Sequence, residues 1–232
     1  MAKTFTKIGK EITIAVKQGG PDVVGNSRLR ALMAEARSEN MPKDNIEKAI
    51  KRALEKNQGD FKEVVFEGYG PHGIAYLVET ATDNNTRTVA NVRSYFTKCG
   101  GSLGTSGSVS FMFDHKCVFR IKYQEGMDID DLQLALCDCD DDPEVFIEEQ
   151  EDKDENITKN VVIYGAYESY GAIQKYIEDN GYELVSGGFE RIPNVDLKDV
   201  TPEQRETLDK LTGLLEDDDD VTNVYNTLKP AE

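Results

Sequence analysis

At 232 residues, 38% hydrophobic and 31% charged, with a formal net charge of -17, the chain is long enough for two or three cores and too acidic to bind polyanions by net charge alone. No apolar run approaches the roughly 20 residues of a membrane-crossing helix. The opening MAKTFTKIGK lacks the apolar centre of a signal peptide, so a cytoplasmic protein that avoids membranes is expected.

Residues 1–60 read as three amphipathic helices. Phe5, Ile8, Ile12 and Ala15 or Val16 recur at helical spacing, with Lys3, Lys7, Lys10 and Lys17 near the opposite face. QGGPDVVGN breaks this helix. SRLRALMAEARSEN and MPKDNIEKAIKRALEKN follow, the latter with Pro42 in its first turn, where a missing N–H costs nothing. Around Gly59 the pattern turns to strands: EVVFEGYG and GIAYLVETAT, joined through Pro71-His72-Gly73. A helix, DNNTRTVANVRSYFTKC, then leads through the glycines at 100, 101, 104 and 107 to an expected strand SVSFMF.

From Cys117 the order is strand, helix, strand, strand, helix, strand, which matches a ferredoxin-like βαββαβ unit. The tail offers a helix from Pro202 to Glu216 and a strand VTNVYNTL, the αβ pair that the preceding ββαβ unit lacks. The expected fold is therefore α+β in three domains. A helical bundle spans 1–60, an α/β domain spans 61–116 plus 193–232, and a ferredoxin-like α/β domain is inserted at 117–192.

Charge follows these divisions. Residues 1–60 carry +4, 61–117 balance, 118–190 carry -15 and 191–232 carry -6. The front helices can thus face phosphate although the whole chain is acidic. Asp217–Asp220 lack the alternation, glycine and terminal glutamate of a calcium loop and read as a solvated turn. CDCDDDPEVF reads likewise as an acidic loop. Cys99, Cys117, Cys137 and Cys139 show no disulfide framework, and Cys137-Asp-Cys139 lacks the second ligand pair of a zinc site. No metal or cofactor is expected.

The glycine-rich KCGGSLGTSGSVSF follows a helix and enters a strand, the reverse of a phosphate-binding loop, and has no GK[ST]. Gly100 suits a helix C′ position with positive φ. The rest is either a mobile connector beside a contact surface or a tight helix-to-strand link. With two isolated histidines and no nucleophile elbow, an enzyme is not expected.

NSRLRALMAEARSENMPKDNIEKAIKRA, FEGYGPHGIAYLVETATDNNTRTVANVRSYFTKCGGSLGTSGSVSFMFD and LLEDDDDVTNVY closely resemble the YebC family, which includes the mitochondrial translational activator of cytochrome c oxidase. The resemblance runs through nearly the whole chain in motif order. It implies three domains, no enzymatic activity and a transcriptional regulatory protein that binds DNA. The alternative it implies is a ribosome-associated translation factor that binds rRNA. Members of the family begin with a basic arm ahead of a segment like KTFTKIGKEI, and this sequence starts inside that segment. Without such an arm the salt slope of binding is expected to be flatter, by about 0.7–0.9 for every phosphate the arm would touch.

The expected nucleic-acid contacts are Lys3, Lys7, Lys10, Lys17, Arg28, Arg30, Lys43, Lys48, Lys51 and Arg52 of the helical domain, with Arg87, Arg93 and Lys98 on or beside the next helix. Such contacts position a protein on phosphate without reading sequence. Tyr69 is the obvious base-stacking candidate. Partners are expected in the transcription machinery or on the ribosome, with the chain itself a monomer. A third reading makes the acidic domain a module that docks a basic protein.

Overall fold

The computed structural model describes residues 2–55, 60–151 and 157–231. The fold is α+β: a helical region of three helices is followed by two antiparallel sheets, consistent with a three-domain arrangement. The chain divides into two compact units, each holding one sheet. The first takes residues 1–14, 48–114 and 191–232, the second 15–47 and 115–190. The three front helices therefore contribute to both units.

These helices are α1 (Ala2–Gly19), α2 (Ser27–Ser38) and α3 (Lys43–Leu54). The break between α1 and α2 is tied by one side chain. Asn26 accepts the Leu29 N–H as the N-cap of α2, and its amide donates to the carbonyls of Ala15 and Gly20 at 2.8 and 2.9 Å. Gly19 is required beside it, because a Cβ there would lie 2.7 Å from the Asn26 amide nitrogen.

In the first unit, β1 (Lys62–Tyr69) pairs antiparallel with β2 (Ala75–Thr82) over their full lengths, from Lys62↔Thr82 to Tyr69↔Ala75. The Pro71–Gly73 turn between them holds His72 at φ 62 and Gly73 at φ 72. α4 (Asn85–Lys98) returns to the two-residue β3 (Ser102–Leu103) on the outer side of β1. The tail helix α7 (Pro202–Glu216) and strand β8 (Val221–Asn226) come back to this sheet, where β8 adds to β2 and completes the order β3-β1-β2-β8. Thr201 starts α7 with a full capping box. Phe66, Tyr76, Val78, Val92, Phe96, Leu208, Leu211 and Leu215 form the core, with Tyr76 edge-on to Phe96 at 5.8 Å.

The second unit holds β4 (Phe113–Lys122), α5 (Ile129–Leu136), β5 (Glu144–Glu151), β6 (Ile157–Ala166), α6 (Tyr170–Asp179) and β7 (Leu184–Pro193). Its sheet order is β5-β6-β4-β7, so the first and third strands lie in the centre, as a ferredoxin-like unit requires. Cys117, Phe119, Ile121, Val161 and Ile163 meet Leu132, Leu136, Ile173 and Ile177 of α5 and α6, and Ala31 of α2 joins this cluster.

SVSFMF is not a strand. Ser110–Met112 form a 3-10 turn, and β4 begins only at Phe113. The cause is the buried carboxylate of Glu67 on β1. It accepts the backbone N–H groups of Gly107 (2.7 Å), Val109 (2.8 Å) and Ser110 (2.8 Å), which a strand would have offered to a neighbour. The glycine-rich stretch is thus tied to β1 as a tight link between α4 and β4. Gly100 sits at φ 78 just past α4, and a Cβ on Gly101 would lie 2.5 Å from the Tyr69 carbonyl oxygen.

Burial alone would raise the Glu67 pKa, but the three backbone donors outweigh it and hold the carboxyl below its ordinary value. Its charge therefore stabilises the fold above the unfolded-state pKa of about 4.3, and that contribution disappears as pH falls through the lower folded value. Glu67→Gln keeps one acceptor oxygen for three donors. It is expected to lower unfolding free energy by about 1.5–3 kcal/mol in urea titrations at neutral pH, with a smaller difference from the parent chain below pH 4.

Candidate nucleic-acid interface

Lys3, Lys7 and Lys10 recur along one side of α1, as a phosphate-facing stripe would. The turn between α7 and β8, which carries the aspartate run, meets this stripe inside the first unit. Lys3 Nζ lies 2.5 Å from Asp217, and Lys7 Nζ donates to the Glu216 carbonyl at 3.1 Å. Lys10 is buried, not solvent-facing. Its ammonium donates to Asp220 Oδ1 (2.7 Å), the Asp219 carbonyl (2.7 Å) and the Ala81 carbonyl (3.2 Å), which accounts for all three of its protons.

The other oxygen of Asp220 is as crowded. It accepts from Arg87 Nη2 at 2.7 Å and Nε at 3.2 Å, from Thr88 Oγ1 at 2.9 Å and from Thr82 Oγ1 at 3.4 Å. Asp218 accepts the Tyr95 hydroxyl (2.9 Å), the Asn91 amide (3.1 Å) and the Asp220 N–H (2.8 Å). Two of the four aspartates are therefore buried, Asp218 at 9% and Asp220 at 4% exposure, and the run is no solvated turn. They are tolerated there because their oxygens have partners. Burial pushes against ionisation of Asp220, yet Lys10, Arg87 and Thr88 overcome it and bring its pKa to about 2. Burial and the Asp218 carboxylate push Tyr95 up to about 12.

Most of the remaining cations are also engaged. In the first unit, Arg52 lies 3.7 Å from Asp83 and 4.2 Å from the centroid of the Phe61 ring. In the second, Arg30 donates to Glu178 at 2.7 Å and to the carbonyls of Val23 and Val24, while Arg28 donates to Gln18 at 3.1 Å. Lys43 faces Glu47 loosely at 3.7 Å, and Lys17 is exposed. Lys48 and Lys51 on α3 and Arg93 on α4 are exposed with no ion-pair partner among the described residues. Lys98 is exposed beside the Tyr95 ring at 5.8 Å. Tyr69 is half-buried, and its hydroxyl donates to the Ser108 carbonyl at 3.3 Å.

Of the thirteen expected contacts, Lys3, Lys7, Lys10, Arg28, Arg30, Lys43, Arg52 and Arg87 are engaged by other groups of the chain and Lys17 is exposed, whereas Lys48, Lys51, Arg93 and Lys98 of the first unit point their charge outward. The anchoring acids, Glu67, Asp218 and Asp220, escape a composition-based reading because acid in a soluble chain is ordinarily solvated. The local signal for Glu67 was one carboxylate in the otherwise apolar VVFEGY.

An α+β architecture with a three-helix front and two antiparallel sheets defines the class of protein. The chain belongs to the TACO1/YebC family: residues 1–56 match that family's N-terminal domain and residues 61–228 its second and third domains. Relatives called "Probable transcriptional regulatory protein" include one from Parabacteroides distasonis, 59% identical over 99% of this chain and 90% of its own length. Another, from Bacteroides thetaiotaomicron, is 57% identical over 100% of this chain and 91% of its own. The fold is shared with a conserved hypothetical protein from Aquifex aeolicus, with TM-score 0.80 and 32% identity over 100% of this chain and 91% of that one.

Replacing Asp220 by alanine strands the Lys10 ammonium in the interior. It is expected to cost about 3–5 kcal/mol of unfolding free energy, read from denaturant midpoints. Because the folded pKa of Asp220 lies below the unfolded value of about 3.9, its contribution is complete above pH 5. Acid titration of Asp220→Asn against the parent chain should show the gap between them closing between about pH 4 and pH 2.

Proposed function

We propose that the chain is a non-enzymatic, DNA-binding transcriptional regulator, monomeric and cytoplasmic, that meets phosphate through the outer side of α4 and the C-terminal half of α3. The names of its relatives favour regulation of transcription. The observation that carries the DNA reading is the charge pattern of α4, NTRTVANVRSYFTK, which contains no acidic residue. Arg87 is tied to Asp220 at its inner end, while Arg93 and Lys98 stay exposed towards its C-terminus. Lys48 and Lys51 add two exposed charges on α3 in the same unit.

These four side chains suit the backbone of a duplex, where contacts add affinity without sequence preference. Lys10 and Arg87, though basic, act through the fold and are positioning residues at most. The rRNA reading has less support, since single-stranded RNA is recognised largely by base stacking and the candidate for it, Tyr69, is half-buried.

The double variant Arg93→Ala/Lys98→Ala should melt at the parent temperature, as both residues are exposed. Its duplex-DNA binding should show a slope of log affinity against log salt that is shallower by about 1.8, at roughly 0.9 per phosphate contact. An unchanged slope would remove α4 from the interface. Tighter binding to ribosomes than to duplex DNA, measured by co-sedimentation across a salt series, would replace the DNA reading with the rRNA one.

A further inference from the structure

We propose that the outer edge of β5 is a strand-addition site for an extended segment of a partner protein in which lysine or arginine alternates with apolar residues. β5 is the outermost strand of its sheet, with β6 as its only strand neighbour among the described residues. Its register with β6 runs unbroken from Glu144↔Tyr164 to Glu151↔Ile157, so no bulge twists the edge away. The sequence EVFIEEQE contains none of the lysines or prolines that commonly blunt such edges.

Both faces of the strand also present apolar surface. Phe146 on one face is 43% exposed and Ile147 on the other is 40% exposed. Phe146 continues onto Tyr164 of β6, ring centroids 5.9 Å apart. On α5, which packs against β5, Leu134 is 72% exposed.

Charge selects the occupant. Among the described residues, three cations are paired with the strand's carboxylates: Arg120 holds Glu148 at 3.2 Å, Lys159 holds Glu149 at 2.5 Å, and Lys116 holds Glu144. The same unit carries the exposed Asp130 and Asp131 of α5 and Asp138 and Asp141 of the loop entering β5, within a region of net charge -15 over residues 118–190. A second copy would bring the same carboxylates edge to edge, where like charges repel. A basic extended segment meets opposite charge, gains main-chain hydrogen bonds along the strand and can cover one of Phe146 and Ile147 with its apolar side chains and the other with the methylene stems of its lysines or arginines.

The test uses the full chain and a fluorescent nine-residue peptide of alternating lysine and valine, with anisotropy as readout. Two controls match its charge: the same peptide N-methylated at alternate residues, and one with glycine and serine in place of valine. The lysine–valine peptide should bind at least ten-fold more tightly than either control, and it should slow hydrogen exchange across residues 144–151. Phe146→Lys/Ile147→Lys should weaken it at least ten-fold with the melting temperature retained. If that variant unfolds, the exchange result on the parent chain decides alone. Equal binding of all three peptides, or binding that leaves 144–151 exchanging as before, overturns the proposal. So does light scattering that shows the free chain dimerising and the double variant monomeric, because the occupant is then a second copy.

Discussion

Asp220 receives hydrogen bonds from groups far apart in the chain: Lys10 of α1, Thr82 at the end of β2, and Arg87 and Thr88 of α4. A buried carboxylate is costly unless its oxygens are saturated, and its partners are equally costly without it. The same few bonds therefore locate the N-terminal helix, the end of β2, the first turn of α4 and the start of β8 in the first unit. Asp218 extends the arrangement along α4 to Asn91 and Tyr95. The charge of Asp220 is offset by Lys10 and Arg87, whereas the donors to Asp218 are uncharged.

This changes how charge bears on function. The basic stripe of α1 is real as a spacing but is largely absorbed by the acidic turn before β8. What remains outward is a smaller set on α3 and α4, and α4 contains no acidic residue. Net charge by segment found the cations at the front of the chain. It did not separate those that hold the fold from those that are free to meet a ligand, since both are lysines and arginines at helical spacing.

The glycine-rich link after α4 follows the same logic turned inward. Its backbone N–H groups converge on an anion, as they do in phosphate-binding loops, but the anion is Glu67 of the same chain. That use explains the missing strand at SVSFMF, while Gly101 allows close approach to the Tyr69 carbonyl. In the second unit the balance differs. Three ion pairs of β5 use Lys116, Arg120 and Lys159, and the same unit carries exposed acid and an open strand edge.

The amino-acid sequence by itself determined the element order, because hydrophobic periodicity, caps and glycine breaks are local properties. The α7 helix from Pro202 to Glu216 and the βαββαβ succession were legible on that basis. Family membership was legible too, from long motifs in fixed order. Only the tertiary structure decided which charges are internal. Lys10 becomes buried because Asp220 and two carbonyls converge on it, and SVSFMF is diverted from a strand because Glu67 competes for its N–H groups. Both outcomes depend on partners 210 and 42 residues away, respectively, and no pattern within a single helix or strand registers such a partner.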